Sequence, residues 1–365
     1  MRLITMHKIK VVAYLLLLCH LNVWGQGEPE SEEGDFSLSV YGDSYFAWDS
    51  NKPIGNQKQY VTQAVRHNEF NINLAAVKVS YDTHQVRSNI TIQTGTYPLT
   101  NYNEPNALGQ LINEANIGVK IGEQSWIDIG VMSGHFGYES AFSLDNELYT
   151  QALVTEYTPY YQTGIQFSTM LAKDVALRAV VINGWQNIFE TNNAKSFGLA
   201  VDYHWNEQFS FGYGNYFGNE GNDVTGKKYR FHNNLVSRMK LEKFTSTISL
   251  DLTAQELLTS SKKSTVLFIT WINKFDLTDY LSIGARYEYV EDPDQILFET
   301  IAPGFQTNVI SASINYHPRE NAAFKIELKQ YYGEENIWTA GEEPVSNNNF
   351  MINAGLAIRI NHDPI

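Results

Sequence analysis

The segment Ser196-Phe-Gly-Leu-Ala-Val-Asp-Tyr-His-Trp205, its connector Asn206-Glu207, and the segment that follows to Gly218 decide the fold. Phe197, Leu199, Val201, Tyr203 and Trp205 alternate with Ser196, Gly198, Ala200, Asp202 and His204. A period of two puts the apolar set on one face of a strand and the polar or small set on the other. A connector this short folds the next strand back antiparallel. The same alternation returns elsewhere. Ile117, Val119 and Ile121 face away from Asn116, Gly118 and Lys120, and Ile127, Ile129 and Val131 from Asp128, Gly130 and Met132. Phe324, Ile326 and Leu328 oppose Lys325, Glu327 and Lys329, while Phe350 to Ile360 opposes Asn353, Gly355 and Arg359.

Followed along the chain, the pattern gives about sixteen segments. They lie near 36–48, 69–81, 85–97, 112–122, 126–136, 159–171, 175–185, 196–205, 208–218, 229–241, 244–256, 264–275, 280–291, 307–317, 322–333 and 349–361. Short connectors such as Asp82-Thr83-His84, Glu123-Gln124-Ser125 and Glu242-Lys243 alternate with long ones. The long ones fall near 49–68, 98–111, 137–158, 186–195, 219–228, 257–263, 292–306 and 334–348. An even number of strands, with short turns on one side and long loops on the other, is the plan of an all-β, closed antiparallel transmembrane barrel. A soluble sandwich would not sort its loop lengths by side. Segments of this length suit a tilted bilayer crossing better than a soluble strand of ~5–6 residues.

Composition agrees. The chain has 365 residues, 43% hydrophobic and 18% charged, and its 22 Tyr, 19 Phe and 7 Trp make aromatics 13% of the total. No run approaches the ~18 uninterrupted apolar residues of a helical span. The formal charge of −14 argues against a non-specific hold on nucleic acid. A single cysteine, Cys19, excludes a disulfide framework and a cysteine-based metal site. Residues 1–25 read as a signal peptide: Arg2, Lys8 and Lys10, then the apolar core Val11 to Leu18, then Val23 and Gly25 before a cut. Residues 26–35, with Glu28, Glu30, Glu32, Glu33 and Asp35, form an acidic arm, and 36–365 form the barrel. Trp126 and Trp205 at short-turn ends, with Trp48 and Trp185 at long-loop ends, are expected in the two interfacial belts. Trp271 falls mid-strand and fits no belt.

The faces opposite the apolar sets should line a wet lumen. Candidate pore-lining bases are Arg87, Lys120, Arg178, Arg230, Arg238, Lys240, Arg286, Lys325, Lys329 and Arg359. Candidate acids are Glu114, Asp128, Asp202, Asp251, Glu288 and Glu327, so the wall carries a basic excess of about four, the sign that favours anions in a narrow pore. Strand 69–81 changes parity between Leu74 and Val77, which indicates a bulge. The 137–158 loop is the candidate constriction, with His135, Glu139, Asp145 and Glu147 as its chemical groups. A short helix capped by Ser143 and carrying Leu144, Leu148 and Ala152 is expected in it. Catalysis is not expected. Ser133 and Ser140 lack an orienting partner, and His135 follows the lipid-facing set by parity. The nine histidines are scattered without metal-ligand spacing, so neither a metal nor a cofactor is expected.

The N-terminal half resembles the OmpL-like porin family of bacterial outer-membrane β-barrels. The resemblance rests on Tyr41-Gly-Asp-Ser-Tyr-Phe-Ala-Trp-Asp49, Arg66-His-Asn-Glu-Phe70 with Asn73-Leu-Ala75, and Gly95-Thr-Tyr97 with Asn101-Tyr102 and Glu114-Ala115. It continues through Trp126-Ile-Asp-Ile-Gly130, His135-Phe-Gly-Tyr-Glu-Ser140, Pro159-Tyr-Tyr-Gln-Thr-Gly164 and Asn183-Gly-Trp-Gln186, covering roughly residues 36–205. It implies a porin-like role: passive diffusion of small hydrophilic solutes through a lumen narrowed by an inward loop. The other reading is a plugged barrel whose outer loops bind a partner. Expected partners are outer-membrane lipid and lipopolysaccharide, the solutes, the barrel-assembly machinery, and further copies of the chain if it is a homo-oligomer. Outer-membrane barrels often end on an aromatic residue read during assembly, whereas here Ile360 is followed by Asn-His-Asp-Pro-Ile365.

Overall fold

The computed structural model describes residues 34–102, 107–221, 226–257, 263–340 and 343–362. The expected signal peptide and the acidic arm up to residue 33 lie outside the described residues. The strands are β1 (Asp35–Asp49), β2 (Glu69–Asp82), β3 (Val86–Thr94), β4 (Ile112–Gly122), β5 (Ser125–Ser133) and β6 (Tyr161–Ala172). Then come β7 (Val175–Ile182), β8 (Ser196–His204), β9 (Phe209–Asn219), β10 (Tyr229–Lys240), β11 (Phe244–Glu256) and β12 (Lys263–Thr278). The last are β13 (Leu281–Asp292), β14 (Phe305–Arg319), β15 (Ala322–Gly333), β16 (Trp338–Ala340), β17 (Glu343–Ser346) and β18 (Asn348–His362). Strands β1 to β15 and β18 pair in sequence order into one closed antiparallel barrel of sixteen strands, with β16 and β17 a small hairpin in the final long loop. The ring closes between β1 and β18 over twelve residue pairs, from Leu38 opposite His362 to Asp49 opposite Met351. Closure leaves no unpaired edge, which a bilayer-spanning sheet requires.

The alternation sorts as the pattern demands. Outward residues stay exposed even though they are large and apolar, for instance Ile117 at 67% and Ile314 at 59%. Only hydrocarbon could cover such a surface. Trp48 meets Phe350 at the long-loop end of this face, and at the short-turn end Trp205 meets Phe209 and Tyr280 meets Tyr316. Two expected belt residues face the other way. Trp126 sits opposite Lys120 on the inner surface beneath the Arg87 guanidinium, and Trp185 is buried among Phe136, Tyr216 and His232.

The bulge in the second strand is present. The β1–β2 register steps from Asp43–Leu74 to Ser44–Ile72, so Asn73 is an extra residue and both Asn73 and Leu74 turn inward. Three strands end earlier than the pattern indicates. β3 stops at Thr94 because Gly95 (φ 133°) turns the chain against the Asn73 carbonyl, a conformation and approach closed to a residue with a Cβ. The helix Thr96–Asn101 follows. β5 stops at Ser133 and β7 at Ile182, where the chain leaves the wall for the lumen.

Candidate functional site

The long connection 134–160 enters the barrel and is tied to the wall from several directions. His135 does not continue the lipid-facing set, because the strand has already ended. It is fully buried, with one ring nitrogen 2.7 Å from the Gln162 Oε1 and the other 2.7 Å from the Asn215 carbonyl oxygen. Phe136 stacks on His232 at 4.8 Å. Glu139 pairs with Arg286 at 3.5 Å and also accepts from the Ala152 backbone N–H and the Thr155 hydroxyl. Phe142 meets Tyr41 edge-on, and the Ser143 and Tyr149 hydroxyls donate to Asp43 at 2.8 and 2.9 Å. Near the short-turn end, Lys325 donates to the carbonyls of Ser143 and Asn146, Asp145 takes a two-pronged contact from Arg359, and Glu147 meets Arg238 at 2.7 Å. Thr150 and the Leu153 N–H donate to Glu327 and Glu288, and the return strand begins at Tyr161.

The expected helix over Ser143–Leu153 does not form. Ser143–Asp145 makes one 3-10 turn without a side-chain cap, and the helix lies later, at Leu153–Tyr157. The reason is competition. The Ser143 hydroxyl that would cap a helix is used on Asp43, and the Ser143, Asn146 and Leu148 carbonyls accept from Lys325 instead of the helical ladder. Gly355 of β18 permits one of these contacts, since any Cβ there would run into the Tyr149 ring.

A second connection, 50–68, packs over the first. The Thr62 N–H and hydroxyl both donate to Glu156, Lys58 donates to Asn353 of β18 at 2.5 Å, and the Ala64 N–H donates to the bulged Asn73. Val61, Leu153 and Val154 join Phe268, Phe298, Phe305 and Trp338 in an apolar cluster inside the barrel. Burial pushes the Lys58 ammonium down to about 7 and the Glu156 carboxyl up to about 7. It also raises Glu139 in spite of Arg286 and lowers His135.

The candidate wall residues therefore divide into two sets. Arg286, Glu288, Glu327, Lys325 and Lys329 are no more than 2% exposed beneath the loop, where they anchor it and border no open water. Arg359 is likewise engaged by the loop. On the other side of the barrel, Arg87 holds Asp128 at 2.5 Å, Arg178 holds Asp202 at 2.8 Å, and Lys78 holds Glu114 at 3.0 Å. Lys120 lies 3.1 Å from His84 at the short-turn rim. Arg230 lies over Trp185, with its Nε donating to Gln255, and Asp251 is buried beside His232. The basic excess of the wall is thus partly neutralised by loop carboxylates. Four of the groups involved, Asp43, Lys58, Lys78 and Glu156, are not among the sequence candidates, although Asp43 and Lys78 carry an inward parity signal opposite Leu38 and Val40 and opposite Val77 and Val79.

Among the described residues, cavities lie at the mouth and along this side. One of about 690 Å³ opens among the long loops, and one of about 340 Å³ lies between the root of the 134–160 loop and the wall at Asn113. One of about 310 Å³ is lined by Arg87, Glu114, Asp128 and Arg178, and one of about 290 Å³ by Arg178, Asp202, His204 and Arg238. Consecutive cavities share lining residues: Thr158, then Ser133 and Gly134, then Arg178. Among the described residues no cluster of three or more His, Cys, Asp and Glu side chains could hold a metal ion. His135 contacts neither Ser133 nor Ser140 in its hydrogen bonds.

A closed barrel with a hydrocarbon-facing exterior and a charged interior crossed by a loop is a porin-like outer-membrane protein. The chain belongs to the family described as "Putative beta-barrel porin-2, OmpL-like", whose model matches residues 35–358, and with it to the bacterial outer membrane. No curated protein sequence matches it. The fold is similar to that of an anion-selective porin from Comamonas acidovorans, with a TM-score of 0.62 at 10% identity over 90% of this chain and 100% of that one. It is also similar to outer-membrane expressed OmpT of Vibrio cholerae (TM-score 0.58, 10% identity, 90% and 97% covered). The trimer form of in-vitro folded OmpT gives a TM-score of 0.53 at 10% identity, with 89% and 98% covered. At these identities the likeness is one of fold.

Proposed function

We propose that this barrel passes small hydrophilic solutes by diffusion through a narrow path on the β3–β11 side, the 134–160 loop closing the rest of the lumen. The observation that carries the reading is the run of cavities sharing Thr158, Ser133, Gly134 and Arg178. Charge along this side is close to balanced. Lys78, Arg87, Lys120, Arg178, Arg230, Arg238 and Lys240 face Asp82, Glu114, Asp128, Glu147, Asp202 and Asp251, seven bases against six acids. A positive excess of one supports a mild anion preference. The trimeric form among the barrels of similar fold supports a homo-oligomer in the membrane.

The second reading, a plugged barrel that binds a partner, is favoured by the apolar cluster of Val61, Leu153, Val154, Phe298 and Trp338, which seals the β12–β18 side. Single-channel recording in planar bilayers separates the two. Steady ohmic steps are expected of the pore, and a folded, inserted barrel that passes no current would establish the plug.

A further inference from the structure

The 690 Å³ cavity lies among loops at the end of the barrel opposite the short turns, and a pore would be served equally well by a featureless funnel there. This mouth is instead built from distant pieces of chain: Gln57 and Tyr60 from the β1–β2 connection, Glu156 and Tyr157 from the loop helix, Trp185 and Gln186 from the β7–β8 connection, and Arg230 from the start of β10. Its size is within the ~300–1,000 Å³ range of small-molecule sites.

The chemistry of the lining is selective. Flat aromatic surface comes from Tyr157, and a side-chain amide, both donor and acceptor, from Gln57; the Gln186 amide is already engaged by the Tyr160 N–H and the Asn101 carbonyl, and the Trp185 ring is covered by Arg230. The Glu156 Oε2 is held by the Thr62 N–H and hydroxyl, while its Oε1 is buried without a hydrogen-bond partner. Leaving such an atom unpaired is costly. The Arg230 Nε is held by Gln255, and its guanidinium lies 4.8 Å from the Trp185 ring centre. An anionic ligand would meet the Glu156 carboxylate; of the two cations in the lining, the Lys58 ammonium is 2% exposed and spent on Asn353, and the Arg230 guanidinium is 8% exposed, held by Gln255 and lodged against Trp185. A purely apolar ligand would strand the Gln57 amide and leave the Glu156 Oε1 unpaired. A ligand with hydroxyls around its rim and C–H groups on its faces satisfies all of them. Its hydroxyls donate to Glu156 and exchange hydrogen bonds with Gln57, and a C–H face lies on the Tyr157 ring.

We infer that the mouth is a binding site for neutral saccharides, which it gathers and orients at the entrance. The inference rests on the pore reading only for its purpose; binding itself does not require conduction. The test is titration of the full-length barrel in detergent with maltose, followed by tryptophan fluorescence and saturation-transfer NMR, with gluconate as the acidic control. Saturable millimolar binding of maltose is expected, with gluconate at least tenfold weaker. Gln57→Ala, at an exposed loop position, and Tyr157→Ala should each weaken maltose binding about tenfold, and Glu156→Gln should narrow the gap between maltose and gluconate. Gluconate binding more tightly than maltose, no saturable maltose signal, or maltose binding untouched by both Gln57→Ala and Tyr157→Ala would overturn the inference. A barrel that conducts ions without binding maltose loses this site and keeps the pore, and one that binds maltose without conducting keeps the site and loses the pore.

Discussion

Replacing Arg286 by methionine should loosen the constriction. Its guanidinium is 1% exposed and faces three carboxylates, Glu288 at 2.8 Å, Glu327 at 3.1 Å and Glu139 at 3.5 Å, while also donating to the Thr150 carbonyl at 2.6 Å. Glu288 and Glu327 belong to the wall; Glu139 and Thr150 belong to the loop. With the arginine gone, three acids share one buried space with only Lys329, 3.9 Å from Glu288, left among the basic groups paired there. Removing one partner from a buried ion pair costs about 3–5 kcal/mol. Withdrawal of the loop would recover most of that, because it separates Glu139 from the wall acids and lets water reach them. At ~1.4 kcal/mol per factor of ten, the balance between packed and withdrawn loop shifts by roughly 10²- to 10⁴-fold. Two readings report it: single-channel conductance in planar bilayers, which should rise and become noisier, and protease cleavage within 134–160, which should accelerate. Adding Glu139→Gln and Glu288→Gln should return both toward wild type. A folded Arg286→Met barrel with unchanged conductance and unchanged cleavage would refute the reasoning.

Three further outcomes are expected. Burial raises Glu156 from 4.5 to about 7, so the packed loop keeps a proton that a withdrawn loop gives up. This contribution to packing is full below about pH 4.5 and is lost as pH rises through about 7; current noise should therefore fall on acidification across that window, and Glu156→Gln should flatten the trend. Lys58, lowered from 10.5 to about 7, loses its contribution as pH falls from the alkaline side, above the Glu156 window. Arg178→Glu removes one positive charge and adds one negative, turning the excess of one along the open side into a deficit of one, so the reversal potential in a KCl gradient should move past the unselective value toward cations. Asn73→Ala strands the Ala64 N–H and withdraws a donor from Asp43, which should cost about 1–3 kcal/mol and lower the temperature at which the heat-modifiable band is lost on gels.

The wall was legible in the sequence because strand parity is a local property. Even the irregularity at Asn73 shows as a change of phase between Leu74 and Val77, and Arg87, Asp128 and Arg178 face inward as their neighbours require. What the loop does was less legible, since its partners are remote: Ser143 finds Asp43 a hundred residues earlier, and Thr150 finds Glu327 far later. Those contacts override the i,i+4 spacing of Leu144, Leu148 and Ala152, which in isolation favours a helix. Parity also fails where a strand ends early. His135 and Trp185 were placed by extrapolating strands that stop at Ser133 and Ile182, so both turn into the lumen. Trp126 shows the converse: nearness to a turn does not outweigh the face its strand assigns, and it packs under Arg87 inside the barrel.

The proposed function requires water to pass beside the 134–160 loop. The direct measurement compares single-channel conductance of the intact barrel with that of a variant whose residues 140–151 are replaced by a short Gly-Ser link, both shown folded by heat-modifiable mobility. The intact barrel should give small, steady ohmic steps and the shortened one steps several times larger. Silence from the intact barrel, or equal steps from the two, would contradict it.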